Sequence, residues 1–273
     1  MPQLTQDAVA SYRREGYLAP IRAIPETQAN DYRARLEAAE DSGQLPEGAL
    51  RNKTHLLLTW LDDLIRSPGV LDAVEGVIGP DILCWSSSFF IKDPRNKSYV
   101  SWHQDLTYWG LDPAEIVTAW VALSESSSEN GAMRVIPATH MTEIAPHSDT
   151  FHPDNLLTRG QEIAVAVDEA KAVSLELQPG EMSLHHVKLI HGSEPNPSPK
   201  RRIGYAIRYI PTMVRQTAGM KDSATLVRGV DRYGHFLPER RPEADLSPEA
   251  IAHHGEITGV TKSILMRGTG RGM

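Results

Sequence analysis

Two hydrophobic periods divide the chain. Up to about residue 80, apolar side chains recur every three or four positions, as they do on one face of a helix. Thr5 has the chemistry of an N-cap, and Gly16 that of a helix stop. Gly79 and Pro80 close the block. The pattern predicts four helices, over 4–16, 25–40, 55–65 and 69–78.

From residue 81 the apolar positions fall into short runs rich in Val, Ile, Trp and Tyr, separated by Pro, Gly, Asn and Asp. A turn-rich connection is expected at 124–131. The polar stretch 141–169 is predicted to be a long loop, of a length typical of a functional lid. The segment after about Thr217 shows no clear pattern. The runs predict seven strands, over 82–91, 99–108, 116–123, 133–136, 172–177, 182–186 and 203–210.

Helices followed by many strands favour an α+β fold built around a β-sandwich or barrel. No linker or internal repeat divides the chain, so we expect one domain over residues 1–273. The net charge of −7 argues against nucleic acid as a partner, because phosphate binding needs a basic face. It leaves a small-molecule substrate open, and the protein is expected to be a monomer or homodimer.

Cysteine count and hydropathy bear on the compartment. Cys84 is the single cysteine in the sequence, which excludes an intramolecular disulfide and fits a reducing environment. Neither a signal peptide nor an apolar run of about 20 residues is evident. We therefore expect a cytoplasmic protein that does not contact a membrane.

Four His-x-acid triplets occur, whereas 11 His and 35 acidic residues in 273 predict about 1.4 by chance. Three lie in polar stretches and are expected to be surface residues. The fourth, His103-Gln-Asp105, lies in a strand-like aromatic run, where positions i and i+2 point to the same side. Its two side chains fit a buried hydrogen bond and a metal site equally well.

A third candidate ligand favours the metal. His191 follows a predicted strand, and Gly192 lets the backbone approach whatever His191 binds. Two histidines and one carboxylate form a facial triad that suits Fe(II) and leaves coordination positions open. His185 and His186 compete with His191 for this role. They alternate on a strand, and His186 is expected to be the one that packs inside.

These motifs together resemble the phytanoyl-CoA dioxygenase superfamily of Fe(II)- and 2-oxoglutarate-dependent oxygenases, and in particular its bacterial small-molecule hydroxylases. The resemblance extends from about Leu4 to Pro211. It implies a double-stranded β-helix (jelly-roll) core with helices packed outside. The matching pieces are Trp102-His-Gln-Asp105, Ala119-Trp-Val-Ala-Leu123, Glu129-Asn-Gly-Ala-Met-Arg-Val-Ile-Pro-Ala-Thr-His140, Pro179-Gly-Glu181, His191-Gly-Ser193 and Arg202.

The resemblance also implies roles for single residues. His103, Asp105 and His191 would bind iron. Arg202, eleven residues after His191, would pair with the C5 carboxylate of 2-oxoglutarate, as an arginine fork can. The remaining cosubstrate contacts would come from Ser193, Trp120 and Lys53.

The implied reaction uses O2 and 2-oxoglutarate to hydroxylate an unactivated C–H of a small, polar metabolite, releasing succinate and CO2. Because halogenases of the superfamily replace the iron-binding carboxylate, Asp105 favours hydroxylation. Residues expected to edge the substrate pocket are Gln104, Tyr108, Trp109 and Arg134, with Asn52, His55 and Arg208 as further polar candidates. Two alternatives stay open: a tailoring oxygenase for a secondary-metabolite or acyl- or carrier-bound substrate, and a catalytically silent metal-binding β-sandwich.

Overall fold

The structure, a computed structural model, describes residues 4–269. The helices of this part of the chain are α1 (Gln6–Glu15), α2 (Glu26–Asp41), α3 (Thr59–Ile65), α4 (Pro68–Ile78), α5 (Leu106–Trp109) and α6 (Pro248–Leu265). The predicted caps of α1 are present. The Thr5 side chain accepts a hydrogen bond from the Ala8 N–H, and Gly16 adopts the left-handed conformation with φ of 82°.

The strands are β1 (Tyr17–Arg22), β2 (Ile82–Lys92), β3 (Val100–His103), β4 (Leu111–Asp112), β5 (Val117–Ala122), β6 (Met133–Ile136), β7 (His147–Asp149), β8 (Gln161–Ile163), β9 (Val173–Leu175), β10 (Glu181–His186), β11 (Ile190–Ser193), β12 (Arg202–Pro211), β13 (Arg215–Gln216), β14 (Ser223–Arg228) and β15 (Leu237–Pro238). The major sheet has the order β1-β10-β5-β12-β2-β14-β15, and the minor sheet the order β3-β11-β6-β9. Two further pairs, β4 with β13 and β7 with β8, lie outside these sheets.

The two larger sheets pack against each other through apolar side chains from both, including Trp120 and Ala206 of the major sheet and Val135 of the minor sheet. The other face of the major sheet is covered by the N-terminal helices, which place Leu61 and Val70 in the same apolar cluster as the sheet. This is the predicted double-stranded β-helix with flanking helices, and the predicted fold class is confirmed.

Strand β12 shows how the sheet separates its two faces. Its ten residues are all buried, and successive side chains point to opposite sides. Every second residue, from Ile203 through Tyr205 and Ile207 to Tyr209, packs in the helix-facing core. The positions between them, Arg202, Gly204, Ala206 and Arg208, therefore face the minor sheet. Both arginines line one cavity there.

Several predicted elements differ from the structure. The predicted strand 99–108 ends at His103, and the chain turns into α5. The predicted loop 141–169 contains the β7–β8 hairpin. The unassigned tail forms β14, β15 and α6. Strand β1 was not predicted, because its Ala-Pro pair is not typical of a strand. No helix within residues 4–269 has both the length and the apolar character required to cross a bilayer.

Candidate functional site

Three buried side chains meet between the sheets. Strands β3 and β11 are neighbours in the minor sheet, and their register sets His103 directly opposite His191. Asp105 follows the end of β3 in a helical conformation, with φ of −62° and ψ of −39°. One ligand atom from each of the three residues lies within 4.8 Å of the others. The convergence of His103 and Asp105 was predicted, but the predicted cause was wrong: a turn, and not strand alternation, directs Asp105 inward.

Backbone carbonyl groups orient both imidazole rings. Nδ1 of His103 lies 2.9 Å from the Ser101 carbonyl oxygen, and Nδ1 of His191 lies 2.9 Å from that of Leu189. Each carbonyl accepts a hydrogen bond from Nδ1–H, so the neutral ring keeps its lone pair on Nε2. Metal-binding histidines are commonly held in this way. Nε2 of His103 lies 3.3 Å from Oδ1 of Asp105.

The protonation states suit a divalent cation. Burial and the neighbouring His103 lower the pKa of His191 to about 4, so that this ring is neutral at pH 7. Burial would raise the pKa of Asp105, but the nearby His103, His191 and Arg208 hold it well below its usual value. Two imidazole nitrogens and one carboxylate are the donor set of a facial Fe(II) site, and these residues could hold such an ion.

The histidine that faces the site from β10 is His185, and the prediction that His186 packs inside was wrong. The His185 ring lies 4.8 Å from the His191 ring, centroid to centroid. Its Nδ1 has no hydrogen-bond partner among residues 4–269, and burial holds its pKa well below the usual value. His186 faces away, and its ring packs on His140 at 5.1 Å. The reason is strand alternation: Leu184 lies in the helix-facing core, which directs His185 to the other side.

A pocket for an anion lies beside the three ligands; we call the set Arg202, Lys92, Ser193 and Trp120 the anion pocket. Arg202 and Lys92 are directly opposite on β12 and β2, where like charges repel. Lys92 Nζ donates a 2.6 Å hydrogen bond to Ser193 Oγ, and the Arg202 guanidinium lies 5.3 Å from the centre of the Trp120 ring. Within the described residues, neither cation forms an ion pair, and Arg202 Nε has no acceptor.

Both cations are nearly inaccessible to solvent, at 2% exposure for Arg202 and 0% for Lys92. Burial lowers the pKa of Arg202 to about 10, which leaves it charged at pH 7. A buried charge without a counter-charge is costly, and an incoming carboxylate would relieve that cost. The pocket thus fits the far carboxylate of 2-oxoglutarate. Lys92 was missed in the sequence, although a lysine inside the apolar run Phe89-Phe-Ile-Lys-Asp93 was a visible signal.

Lys53 lies elsewhere. It is fully buried, and its ammonium group donates hydrogen bonds to the carbonyls of Trp85 and Ser223 and to Glu239 Oε1 at 2.7 Å. These three acceptors use all three N–H donors of a lysine. The predicted contact of Lys53 with the cosubstrate is therefore not part of this structure. Among the further polar candidates, His55 lies in the same buried cluster, 3.3 Å from Glu239.

Two predicted substrate residues also have other partners. The Gln104 side chain donates to the Lys188 carbonyl at 2.7 Å and accepts from the Ala145 N–H at 2.8 Å, which fastens the 141–169 segment to the core. Arg134 is partly exposed and pairs with Glu169 and Glu194 at 3.1 and 3.2 Å, in a surface depression away from the three metal-ligand candidates. Both side chains therefore already have partners within the protein, and their contact with a substrate stays a prediction.

Tyr108 and Trp109 do line a cavity, which we call the outer cavity. It has a volume of about 250 Å³ and is open to solvent, and it shares Phe90, Asp105 and Arg208 with the space around the metal-ligand candidates. Asn52 lines it as well, and so do residues 156–159 and 161 from the predicted lid. A molecule in the outer cavity would thus contact Asp105, one of the three metal-ligand candidates, directly.

Comparison with known proteins agrees with this geometry. The phytanoyl-CoA dioxygenase (PhyH) family profile matches residues 2–204. A probable alpha-ketoglutarate-dependent hypophosphite dioxygenase of Stutzerimonas stutzeri is 32% identical over 158 residues, which cover 56% of this chain and 54% of that protein. The match thus spans about half the length of this curated relative.

Two solved structures are similar over nearly the whole chain. The apo form of the non-heme monooxygenase ThoJ is 37% identical, with a TM-score of 0.85 and coverage of 95% of this chain and 97% of that one. A nickel complex of ThoJ is 33% identical, with a TM-score of 0.80 and coverage of 95% and 98%. The names of these relatives and the geometry of the three metal-ligand candidates agree with the predicted iron and 2-oxoglutarate chemistry. The chain belongs to the phytanoyl-CoA dioxygenase family, as its sequence motifs predicted.

Proposed function

We propose that this protein is an Fe(II)- and 2-oxoglutarate-dependent hydroxylase of a small, polar metabolite. The observation that carries the proposal is the juxtaposition of two elements: the buried His103, Asp105 and His191 set, and the anion pocket beside it. When bound, iron and 2-oxoglutarate supply the oxidation of a C–H bond by O2, coupled to the release of succinate and CO2. The protein supplies position and charge.

Each group has a role that its surroundings support. The Nε2 atoms of His103 and His191 and the Asp105 carboxylate hold the iron, and backbone carbonyls fix both rings. Arg202 forms a charged pair with the far carboxylate of the cosubstrate. Ser193 donates a hydrogen bond to the same carboxylate, and Trp120 closes the pocket. Asp105 keeps a carboxylate in the ligand set, which supports hydroxylation over halogenation.

The outer cavity supports the choice of a small, polar substrate. Tyr108 and Trp109 give it aromatic walls, and Asn52 and Arg208 give it polar groups. Binding sites of this kind combine apolar surface with a few polar groups that fix orientation. Because the cavity ends at Asp105, a bound molecule presents one end to the iron.

Asp105→Ala tests the ligand set. We expect it to lose metal affinity and iron-dependent succinate formation by at least about 100-fold, because even groups behind a metal ligand contribute 10- to 100-fold. Nickel binding by calorimetry and succinate release from 2-oxoglutarate are the two measurements. Asp31→Ala, on the exposed face of α2, is the matched control and should leave both unchanged. Normal nickel binding and turnover by Asp105→Ala would contradict the assignment.

Arg202→Gln tests the anion pocket separately. Loss of a charged hydrogen bond costs about 1.5–3 kcal/mol, so 2-oxoglutarate should bind roughly 10- to 100-fold more weakly. Nickel affinity should stay the same, because Arg202 is not among the metal-ligand candidates. Unchanged 2-oxoglutarate affinity would remove Arg202 from the cosubstrate site.

Absence of succinate formation by the wild-type protein with iron, 2-oxoglutarate, O2 and a metabolite panel would favour a silent metal-binding module.

A further inference from the structure

Arg208 has a buried guanidinium with unused donors. The residue is 9% exposed and lines both the outer cavity and the space around the metal-ligand candidates. Within residues 4–269, its hydrogen bonds run from one nitrogen, Nη1, to Ser88 Oγ and the Ala206 carbonyl. Nε and Nη2 donate to no described group. These two nitrogens form one edge of the guanidinium, which matches the two oxygens of a carboxylate or phosphonate.

No acidic side chain of the described residues neutralises Arg208 through an ion pair, although the chain as a whole has 35 acidic against 28 basic residues. Among the residues that the structure describes, Asp105 is the sole acid that lines the outer cavity, and its charge is required by the metal. Two more arginines line the same cavity. Arg159 is already paired with Asp149 at 3.0 Å, whereas Arg51 stands exposed at the rim. The cavity is thus cationic inside an anionic protein, which favours an anionic ligand.

We infer that the substrate carries a carboxylate or phosphonate group, and that Arg208 binds this group through its Nε and Nη2 edge. The inference rests on the proposed function and specifies its substrate class. Arg208 lies at the junction of the outer cavity and the metal-ligand candidates, so the anion would be anchored close to the iron. The carbon that is hydroxylated should therefore lie within a few bonds of the anionic group.

The cosubstrate is a less suitable partner for Arg208. Arg202 and Arg208 are six residues apart on β12, which corresponds to a rise of about 20 Å along a strand. The far carboxylate of 2-oxoglutarate already has Arg202, Lys92 and Ser193 at one end of this face. Arg208 lies at the other end, beside Trp109, whose ring centre is 5.8 Å from its guanidinium, and next to the outer cavity. Arg208 thus lies at the end of the shared cavity that opens into the outer cavity, and Arg202 lies at the opposite end.

Binding of small anions to the Co(II)- and 2-oxoglutarate-loaded protein tests the inference. The probes are methylphosphonate and N-acetylglycine, with the neutral N-acetylglycinamide as the matched control. Paramagnetic relaxation of probe protons reports residence near the metal and detects weak binding. We expect the two anions to bind about tenfold better than the amide, as a charge-assisted hydrogen-bond pair predicts. Calorimetry of 2-oxoglutarate on the same samples provides an independent readout.

Arg208→Gln should abolish the preference for anions and keep 2-oxoglutarate affinity within about threefold, whereas Arg35→Gln, exposed on α2, should change neither. If Arg208→Gln does not fold, Arg208→Lys replaces it; it keeps the charge but loses the fork, so the preference should fall about fivefold. Three outcomes would each overturn the inference. The wild type could show no preference for anions over the amide, or that preference could survive in the Arg208 variants. The Arg208 variants could also bind 2-oxoglutarate more weakly with no change in binding of the probes. If 2-oxoglutarate itself does not bind the wild type, the proposed function fails instead.

Discussion

At the scale of single residues, the anion pocket is built from two basic side chains whose charged forms repel each other. Lys92 and Arg202 are cross-strand neighbours, and both are buried. Burial and the charge of Arg202 lower the pKa of Lys92 to about 6, while the Glu194 carboxylate acts in the opposite direction. Between pH 7 and 8 Lys92 is therefore mostly neutral before the cosubstrate binds. The charge of Lys92 is thus coupled to the arrival of an anion.

We predict that 2-oxoglutarate binding takes up a proton at Lys92. The incoming carboxylate offsets the charge of Arg202 and raises the pKa of Lys92 towards its ordinary value of about 10.4. Between those two pKa values the bound state holds more protons than the free state, so affinity should fall as pH rises above about 6. Calorimetry of the nickel-loaded protein in buffers of different ionisation enthalpy measures the number of protons taken up.

Lys92→Met provides the variant for this prediction, because it keeps most of the side-chain volume and removes the titrating group. It should bind 2-oxoglutarate more weakly and without proton uptake. Lys97→Met, on the connection after β2, is the control and should keep the wild-type proton number. An equal proton uptake in Lys92→Met and the wild type would assign the proton to another group.

At the scale of elements, strand alternation explains which parts of the site could be predicted from the sequence. Arg202, which directly precedes the predicted strand 203–210, has the same parity as Arg208, so the sequence contained the signal that both face one cavity. Asp105 was different, because the turn after His103 depends on local contacts that periodicity does not encode. The orientation of β10 was also hidden. It is set by the packing of Leu184 in the helix-facing core, which turns His185 towards the minor sheet.

The predicted site residues that have other partners in the structure share one property: those partners are distant in the sequence. Lys53 pairs with Glu239, 186 residues away, and Gln104 with Ala145, 41 residues away. Arg134 pairs with Glu169 and Glu194. A motif identifies a residue type at a position but not the remote acceptor that competes for it. Family resemblance predicted the metal-ligand candidates and Arg202, whose neighbours are set by the sheets themselves.

Strands β5 and β12 make a close contact that the anion pocket depends on. A Cβ atom added at Gly204 would lie 1.7 Å from the Trp120 ring, so the glycine lets the indole lie flat against β12. We predict that Gly204→Ala displaces the ring, lowers the free energy of unfolding by about 1–3 kcal/mol and weakens 2-oxoglutarate binding about tenfold. Chemical unfolding and cosubstrate calorimetry measure the two effects.

Gly255→Ala is the matched control, because nothing lies within 4 Å of the added Cβ in α6. Alanine is favoured over glycine inside a helix, so this variant should be as stable as the wild type or up to about 1 kcal/mol more stable. Its 2-oxoglutarate affinity should not change. If Gly204→Ala is also neutral in both measurements, Trp120 does not depend on the missing side chain.

At the scale of the whole molecule, a buried charge cluster ties the tail to the helical block and the major sheet. Glu239, which follows β15, accepts hydrogen bonds from Lys53 at 2.7 Å and from Thr225 of β14 at 2.6 Å. His254 of α6 contacts the Asn52 carbonyl at 2.8 Å. These contacts hold the C-terminal segment against the core, and Leu265 at the end of α6 is part of the wall of the outer cavity. The stability of the tail and the shape of the cavity are therefore linked.

We predict that Glu239→Gln lowers the free energy of unfolding at pH 7 by about 3–5 kcal/mol, because it leaves Lys53 buried without a counter-charge. Burial would raise the pKa of Glu239, but Lys53 and His55 hold it well below its usual value. A carboxyl with a depressed folded-state pKa stabilises the fold above its unfolded pKa of about 4.3 and loses that contribution as pH falls. The difference in the free energy of unfolding between wild type and variant should thus decrease below about pH 4.

Urea unfolding between pH 3 and 8 measures this gap, and Glu37→Gln is the matched control. Glu37 pairs with Arg33 on α2 with both side chains 39% exposed, so its loss should cost less than about 1 kcal/mol at any pH. A constant gap between wild type and Glu239→Gln across the acid range would show that the destabilisation does not come from the carboxylate charge. A parallel loss of anion binding in the outer cavity is expected, because release of the tail removes Leu265 from its wall.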